Sequence, residues 1–253
     1  MKIVACYKIV PDAQDIAVRF DGSLDLERSE WIIGEYDLVA IEAATRLAEV
    51  SAGSAVLLSA GGKELTDSKL IKSALSRGAQ ELYCVVDQAV ANADAFQIAS
   101  VLAQALKKLE YDLVICGEGS SDLYAQQVGP LLGSLAGVTT INAVSKIDIQ
   151  GNAVIVERTL EREVEVLQLA LPAVISVTTD INLPRIPQLK DILAAGKKPV
   201  TIWSVSDVGA LPPSNVQTVS TRAPSSIERQ QVIYEDASEE NIKKLALDIK
   251  AAR

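Results

Sequence analysis

The sequence predicts an α/β fold, in which a mostly parallel sheet has helices on both faces and is extended by antiparallel strands and a C-terminal arm. Three observations lead to this prediction. Over residues 1–136, short β-branched runs alternate with helical patterns, which is typical of parallel strands covered by helices. Residues 139–179 are instead rich in strand patterns separated by turn signals. Prolines then break regular structure between residues 172 and 199, and a helical pattern follows near residue 240.

The first part of the chain holds the elements that we expect to form the parallel sheet and its helical layers. The predicted strands are residues 2–7, 55–60, 81–86 and 111–117, and the predicted helices are 38–49, 64–76, the segment from Asp94 to Leu109, and 123–136. Between the first strand and the first helix, residues 16–33 alternate in polarity like a hairpin. Asp37 is placed to cap the first helix, and Asp94 with Gln97 has the pattern of a capping box.

The end of the chain is predicted to form an appendage. We expect residues 1–198 to form the α/β domain and residues 199–253 to form an arm with a terminal helix. Asp236 and Glu239 have the pattern of a cap for that helix. Its apolar stripe consists of Ile242, Leu245, Ala246 and Ile249. The stripe can pack on its own domain or on a partner chain, and the sequence leaves both arrangements open.

Composition excludes several classes of function. The 253 residues are 49% hydrophobic, carry a formal net charge of −9 and include no histidine. Without histidine, the Ser-His-Asp and Cys-His nucleophile systems and the commonest metal ligand are missing. The negative charge repels nucleic acids but permits the binding of one small nucleotide. The start of the sequence has neither a cleavage site nor a long apolar segment, so we expect a cytoplasmic protein.

The segment Gly117-Glu118-Gly119-Ser120-Ser121-Asp122 is the best candidate for a binding site, because it lies between a predicted buried strand and a predicted helix. Its glycines let the backbone approach a ligand, its serines offer hydroxyls, and the N terminus of the following helix presents free N–H groups to a phosphate. The segment is neither a Walker A motif nor GxGxxG, since no Gly-Lys-Ser/Thr follows and residue 122 is Asp. Binding of a nucleotide without its chemical transformation is therefore favoured over an ordinary turn.

Three segments together resemble the beta subunit of electron transfer flavoproteins, of the FixA type. Residues 117–137 resemble the adenine-nucleotide loop and helix of that family, including an AQxVG element at 125–129. Residues 156–177 resemble its signature of a basic residue, acidic positions and a Leu-Pro-Ala-Val strand. Residues 180–200 resemble the loop that docks the carrier on its dehydrogenase partners. The resemblance extends over the whole chain and implies a Rossmann-like, adenine nucleotide-binding α/β domain.

The resemblance implies a set of cofactor-binding residues but no catalytic side chain and no metal. Carried over position by position, the set is Cys6, Gly34, Glu35, Tyr36, Asp37, Ala60, Gly117, Glu118, Gly119, Ser120, Ser121, Asp122, Leu123, Tyr124, Ala125, Gln126, Gln127 and Val128. The expected ligand is AMP, with FAD as the alternative, and the FAD of the complex is expected mainly in the alpha subunit. The chain has Ala13 where many members have an aromatic residue that faces the flavin.

The resemblance also implies an electron carrier with several partners. These are an electron transfer flavoprotein alpha subunit in a heterodimer, a flavoprotein dehydrogenase of the acyl-CoA type and a quinone reductase, with neither nucleic acid nor membrane insertion. The residues expected to dock on a dehydrogenase are Arg185, Leu189, Lys197 and Lys198, with Leu189 as the anchor. One alternative is an FAD-containing, bifurcating subunit. Others are a homodimeric ATP-binding stress-type protein and a nucleotide-dependent ligase or pyrophosphatase, but a stress-type domain is complete within about 150 residues.

Overall fold

The computed structural model describes residues 1–151, 153–225 and 231–252, so residues 226–230 and 253 of the predicted arm lie outside the described residues. The strands are β1 (Lys2–Cys6), β2 (Ile9–Pro11), β3 (Ala17–Val18), β4 (Leu24–Asp25), β5 (Trp31–Ile33), β6 (Ser54–Gly61), β7 (Glu81–Val86), β8 (Leu113–Gly117), β9 (Thr139–Gln150), β10 (Ala153–Thr159), β11 (Val164–Leu169), β12 (Ala173–Val177) and β13 (Val200–Trp203). The helices are α1 (Glu35–Val50), α2 (Ser68–Leu75), α3 (Ala95–Leu106), α4 (Val128–Ala136), α5 (Leu189–Ala195), α6 (Val205–Val208) and α7 (Glu239–Ala251), with a 3₁₀ turn at Lys63–Thr66.

The predicted α/β architecture is confirmed. Nine strands form one sheet in the order β11-β10-β9-β12-β8-β1-β6-β7-β13. From β9 to β13 in this order, all neighbouring strands run parallel, whereas β10 is antiparallel to both β9 and β11. Two further sheets, β2–β5 and β3–β4, have two strands each and come before α1 in the chain. The sheet therefore has a parallel centre and an antiparallel extension at one edge.

Both faces of the sheet are buried because its central strands are apolar throughout. In β1, Ile3 and Ala5 belong to one apolar cluster, whereas Val4 and Cys6 belong to a second cluster on the opposite face. Helices α1 and α2 contribute to the first cluster, and α3 and α4 contribute to the second. The carboxyl ends of the parallel strands remain as the edge at which α/β proteins bind ligands.

Three predicted helix starts are wrong. α2 begins at Ser68 and not at residue 64, since a 3₁₀ turn at Lys63–Thr66 precedes it. α1 begins at Glu35 with Gly34 as its N-cap, so Asp37 lies inside the first turn and does not cap the helix. α4 begins at Val128, and the residues from 118 to 127 that precede it are not helical. Site residues 35–37 therefore lie in a helix and residues 123–127 in a loop, the reverse of what the sequence pattern indicates.

The predicted cap at the start of α3 is confirmed, and the predicted cap at the start of α7 is wrong. At the start of α3, the Gln97 backbone N–H donates to Oδ1 of Asp94 at 2.8 Å, which confirms the capping box. α3 ends at Leu106, so Leu109 lies beyond it. At the start of α7, Ser238 rather than Asp236 is the N-cap.

The described chain divides into two compact units. The larger contains Met1–Ala17 and Asp25–Ser220, and the smaller contains Val18–Leu24 and Thr221–Arg253. The larger unit extends past residue 198, because β13 pairs with β7 and α6 follows it. In the smaller unit the apolar stripe of α7 is exposed. No helix within the described ranges has the length and apolar character that a membrane crossing requires.

Candidate functional site

The candidate site begins at the carboxyl ends of β1, β6 and β8, which are consecutive in the sheet order β8-β1-β6. The strand ends are tied together, since the backbone N–H of Tyr7 donates to the carbonyl of Leu58 at 3.1 Å. In return, the buried hydroxyl of Ser59 donates to the carbonyl of Tyr7 at 2.6 Å. The ends of β1 and β6 are therefore joined beside the end of β8, and the predicted ligand loops begin at this edge.

The loop between β8 and α4, which we call the β8–α4 loop (residues 118–127), is mostly exposed. Its base is bound to the sheet by the Glu118 backbone N–H, which donates to the carbonyl of Val177 at 3.0 Å. Tyr124 and Gln126 have φ values of +46° and +55°, a region that L-residues adopt only when other contacts hold them there. The ring of Tyr124 lies against Gly119, where an added Cβ would come within 2.5 Å of the ring. The loop thus has a defined, strained conformation.

The N terminus of α4 presents backbone donors at the end of this loop. Gln127 is the N-cap, and within the described residues no side chain caps this end and no acidic residue lies in the first turn. Gly129 lets the helix approach β12 closely, because an added Cβ would lie 2.0 Å from the hydroxyl oxygen of Ser176. Free N–H groups at a helix N terminus bind phosphate well.

The start of α1 forms the opposite side of the candidate site. Gly117, at the end of β8, packs so closely on the backbone of Tyr36 that an added Cβ would lie 2.9 Å from it. The ring of Tyr36 contacts that of Tyr124, with centroids 5.1 Å apart. Helix α1 therefore contacts both the base and the middle of the β8–α4 loop.

Asp37 is a buried carboxylate at this start of α1. Its Oδ2 accepts the Lys8 backbone N–H at 2.9 Å. Burial raises the pKa of Asp37 to about 7, and the hydrogen bonds and charge of Lys8 offset only part of that effect. Asp37 therefore titrates near neutral pH.

Lys8, which the sequence pattern does not indicate as a site residue, also bonds to the β8–α4 loop. Its Nζ lies 2.5 Å from Oδ2 of Asp122. Burial alone would raise the pKa of Asp122, but the hydrogen bonds from Lys8 and Ser120 outweigh it and lower the pKa. The position of Lys8 just after the first strand is the signal that could have indicated it, because loops after parallel strands meet at one edge.

Three of the predicted cofactor residues, Cys6, Ala60 and Val128, lie on the face of the second apolar cluster, whereas Glu35, Leu123 and Ala125 are exposed. Cys6 and Cys116 are buried there side by side at the ends of β1 and β8, and Ala60 and Val128 are partly buried against the same cluster. The Cys6 thiol has a raised pKa, through its hydrogen bond to Cys116 and its burial. A buried neutral thiol contributes packing rather than a nucleophile.

The residues at the candidate site fit an adenine nucleotide. The uncapped N terminus of α4 and the hydroxyl of Ser121 suit a phosphate, whereas the Ser120 hydroxyl is bound to Asp122. The partly buried Ala60 and Val128 suit the flat, apolar faces of a base. A metal ion has no comparable fit, since the described residues contain no group of three or more His, Cys, Asp or Glu side chains able to hold one.

The predicted docking residues have different environments. Leu189 is 71% exposed at the start of α5, as an anchor residue would need to be. Arg185 is instead bound within the chain, with its Nε 2.7 Å from the carboxylate of buried Glu42. Lys198 donates to the carbonyls of Leu75 and Ala79 at 2.8 and 2.6 Å, at the C-terminal end of α2. Docking by these residues stays a prediction.

The chain was also compared with sequence models of protein families. Residues 22–208 match the sequence model of the electron transfer flavoprotein domain. The match covers more than half of the chain and includes the start of α1, the β8–α4 loop and the segment from 180 to 200. Cys6 and Lys8 precede the matched region.

Proposed function

The chain belongs to the electron transfer flavoprotein family, and we propose that it is the FixA-type beta subunit of a heterodimeric carrier and holds an adenine nucleotide. The β8–α4 loop carries this proposal. It joins a central parallel strand to an uncapped helix N terminus, and the ends of the neighbouring strands β1 and β6 lie beside it. Such a junction holds a phosphate by backbone groups and needs no catalytic side chain.

AMP is the proposed ligand of this subunit, and FAD is the alternative. Ala13 lies in an exposed turn, where its methyl group offers no ring on which a flavin can stack. AMP has the adenine and one phosphate but no flavin, so it makes no demand on that position. The FAD-containing, bifurcating subunit remains the alternative that the experiment below distinguishes.

We propose that the chain carries electrons only as part of a complex. The flavin of the complex, held mainly by an alpha subunit, supplies the redox chemistry when it is bound. This chain would orient its nucleotide and contact the partners, namely the alpha subunit, a flavoprotein dehydrogenase of the acyl-CoA type and a quinone reductase. The absence of histidine from the sequence supports a carrier over a hydrolase.

The first experiment is co-expression with a candidate alpha subunit, followed by denaturation of the purified complex and quantification of the released nucleotides. We expect one FAD and one AMP per heterodimer. Release of two FAD and no AMP per heterodimer would contradict AMP as the ligand and support the FAD-containing, bifurcating subunit. A homodimer that releases ATP without flavin would contradict the proposal and support the stress-type protein.

A matched pair of variants locates the nucleotide. Gln127→Glu places a negative charge at the N-cap of α4, where it favours the helix but repels a phosphate, so AMP affinity should fall about fivefold. Gln168→Glu adds the same charge at an exposed position of β11 and should leave the affinity unchanged. Equal affinities for the two variants would place the phosphate elsewhere.

A further inference from the structure

We propose that Lys8 is a positioning residue for the nucleotide site, where it holds the β8–α4 loop in the conformation that binds the phosphate. The inference rests on the proposed nucleotide-binding function. It adds a residue that lies outside the Gly-Ser loop, because Lys8 follows β1 and is 114 positions away from its partner Asp122. The ion pair between Lys8 Nζ and Asp122 Oδ2, at 2.5 Å, is the observation that carries it.

Lys8 is itself held firmly by backbone hydrogen bonds. Its N–H donates to Oδ2 of Asp37 at 2.9 Å, and its carbonyl accepts the N–H of Gly34 at 3.0 Å. Both partners belong to the start of α1, which is packed on the sheet. The Lys8 side chain therefore extends from a fixed point toward the β8–α4 loop.

The β8–α4 loop needs such a restraint. Tyr124 and Gln126 are in the left-handed region of φ, which costs about 1 kcal/mol or more for each L-residue. The exposed residues of the loop bury little apolar surface that could offset this cost. A bond from Lys8 to Asp122, in the middle of the loop, fixes the segment that leads into the N terminus of α4.

The geometry favours an indirect action of Lys8 over direct contact with the phosphate. Its ammonium group is bound to the Asp122 carboxylate, which also accepts the Leu123 backbone N–H at 2.9 Å through Oδ1. Asp122 thereby joins Lys8 to the loop backbone. Lys8 should then influence nucleotide affinity only while Asp122 can receive its hydrogen bond.

A double-mutant cycle tests this dependence. Lys8→Met, Asp122→Asn and the double variant are made in the full chain, and AMP affinity is measured by titration calorimetry. Each single variant should bind AMP about fivefold more weakly, and the double variant no more weakly than the weaker single variant. Each substitution also changes the electrostatic interaction with the phosphate directly. This direct effect cancels in the cycle, because it is the same with or without the partner residue.

Two further variants separate positioning from a general loss of structure. Lys8→Arg keeps the ion pair and should restore most of the affinity. Lys146→Met removes a comparable ion pair, Lys146–Glu157 at 2.6 Å in the β9–β10 hairpin, and should leave AMP affinity unchanged. Wild-type affinity in Lys8→Met, or additive losses in the double variant, would overturn the proposal, and additive losses would indicate direct contact with the phosphate.

A second readout keeps the proposal distinct from the proposed function. If the wild-type chain binds neither AMP nor FAD, the proposed function fails, but the role of Lys8 can still be measured by hydrogen exchange. The amides of residues 118–127 should exchange at least fivefold faster in Lys8→Met than in the wild type. Unchanged exchange in that loop would overturn the role of Lys8.

Discussion

Asp37 and Glu42, two buried carboxylates of α1, differ in their protonation. Burial raises the pKa of Asp37 to about 7, and its partners at Lys8 offset only part of that effect. Burial acts on Glu42 in the same direction, but hydrogen bonds from Arg185 and Arg46 outweigh it, and the pKa of Glu42 is lowered. Two guanidinium groups thus keep Glu42 charged, whereas Asp37 gains and loses its proton near neutral pH.

The raised pKa of Asp37 predicts a pH dependence of stability. The folded chain holds a proton on Asp37 up to about pH 7, whereas the unfolded chain loses it near the ordinary value of 3.8. Stability of the wild type relative to Asp37→Asn should therefore fall as the pH rises from 5 to 8, by up to about 3 kcal/mol. Urea unfolding at both pH values measures the difference.

Asp122 is expected to show the opposite sign at a lower pH than the range used for Asp37, because its folded pKa lies below the ordinary value of 3.8. Because its folded pKa is lowered, the stability that its carboxylate contributes is present at neutral pH and is lost as the pH falls through that pKa. The wild type should thus lose stability relative to Asp122→Asn on acidification. A parallel pH response for the two variants would contradict the assignment of the Asp37 proton.

Removal of the Arg185 side chain should lower the free energy of unfolding. It bonds to Glu42, whose side chain is 3% exposed, and to Glu49, whose side chain is 58% exposed. Arg185→Met leaves the buried Glu42 with Arg46 alone, so the free energy of unfolding should fall by about 2 kcal/mol. Glu49→Gln removes only the exposed bond and should change it by less than about 0.5 kcal/mol. Equal losses of stability in Arg185→Met and Glu49→Gln, measured by urea unfolding, would show that the burial of Glu42 does not determine the loss.

At the scale of elements, the central parallel strands were predictable and the start of α4 was not. Strands such as β1, β7 and β8 are apolar on both faces, and this pattern is visible without knowledge of their neighbours. Residues 123–127 have helix-compatible side chains, but Tyr124 and the adjoining Asp122 contact Tyr36 and Lys8, which are distant in the sequence. For the same reason the glycines and serines of the site could be identified, whereas Lys8 could not.

Helix α4 also yields a prediction about its packing on the sheet. Gly129→Ala would place a Cβ 2.0 Å from the hydroxyl oxygen of Ser176 but 3.4 Å from the Ser176 Cβ. The variant should lose about 1–3 kcal/mol of stability through overpacking. Adding Ser176→Ala removes the clashing atom and should restore most of that loss in urea unfolding. Persistence of the defect in the double variant would show that the clash lies elsewhere.

At the scale of the whole molecule, the two compact units suggest where the chain can be shortened. β13 belongs to the larger unit, through its pairing with β7. Its four residues follow a proline and have alternating exposure, so their short pattern did not predict a strand. A truncation intended to remove only the predicted arm should therefore end after Ser220 and not before Val200.

Two truncated chains should show which residues are needed for folding and which for assembly with a partner. A chain of residues 1–220 should keep a cooperative unfolding transition but fail to co-purify with the proposed alpha subunit, because it lacks the exposed apolar stripe of α7. A chain of residues 1–199 should lose stability as well, since it leaves the edge of β7 unpaired. Retained co-purification of the chain of residues 1–220 would exclude α7 as the contact with the partner.

The pairing of β13 with β7 has a consequence for synthesis on the ribosome. β7 is complete at residue 86, but the strand that covers its edge comes only at residues 200–203. During translation the sheet thus keeps one open edge while more than a hundred further residues are added, a period in which a nascent chain is prone to wrong pairing. Residues 221–252 are synthesised after the strand that closes this edge. Helix α7, whose apolar stripe is exposed, therefore leaves the ribosome when the larger unit can already be folded.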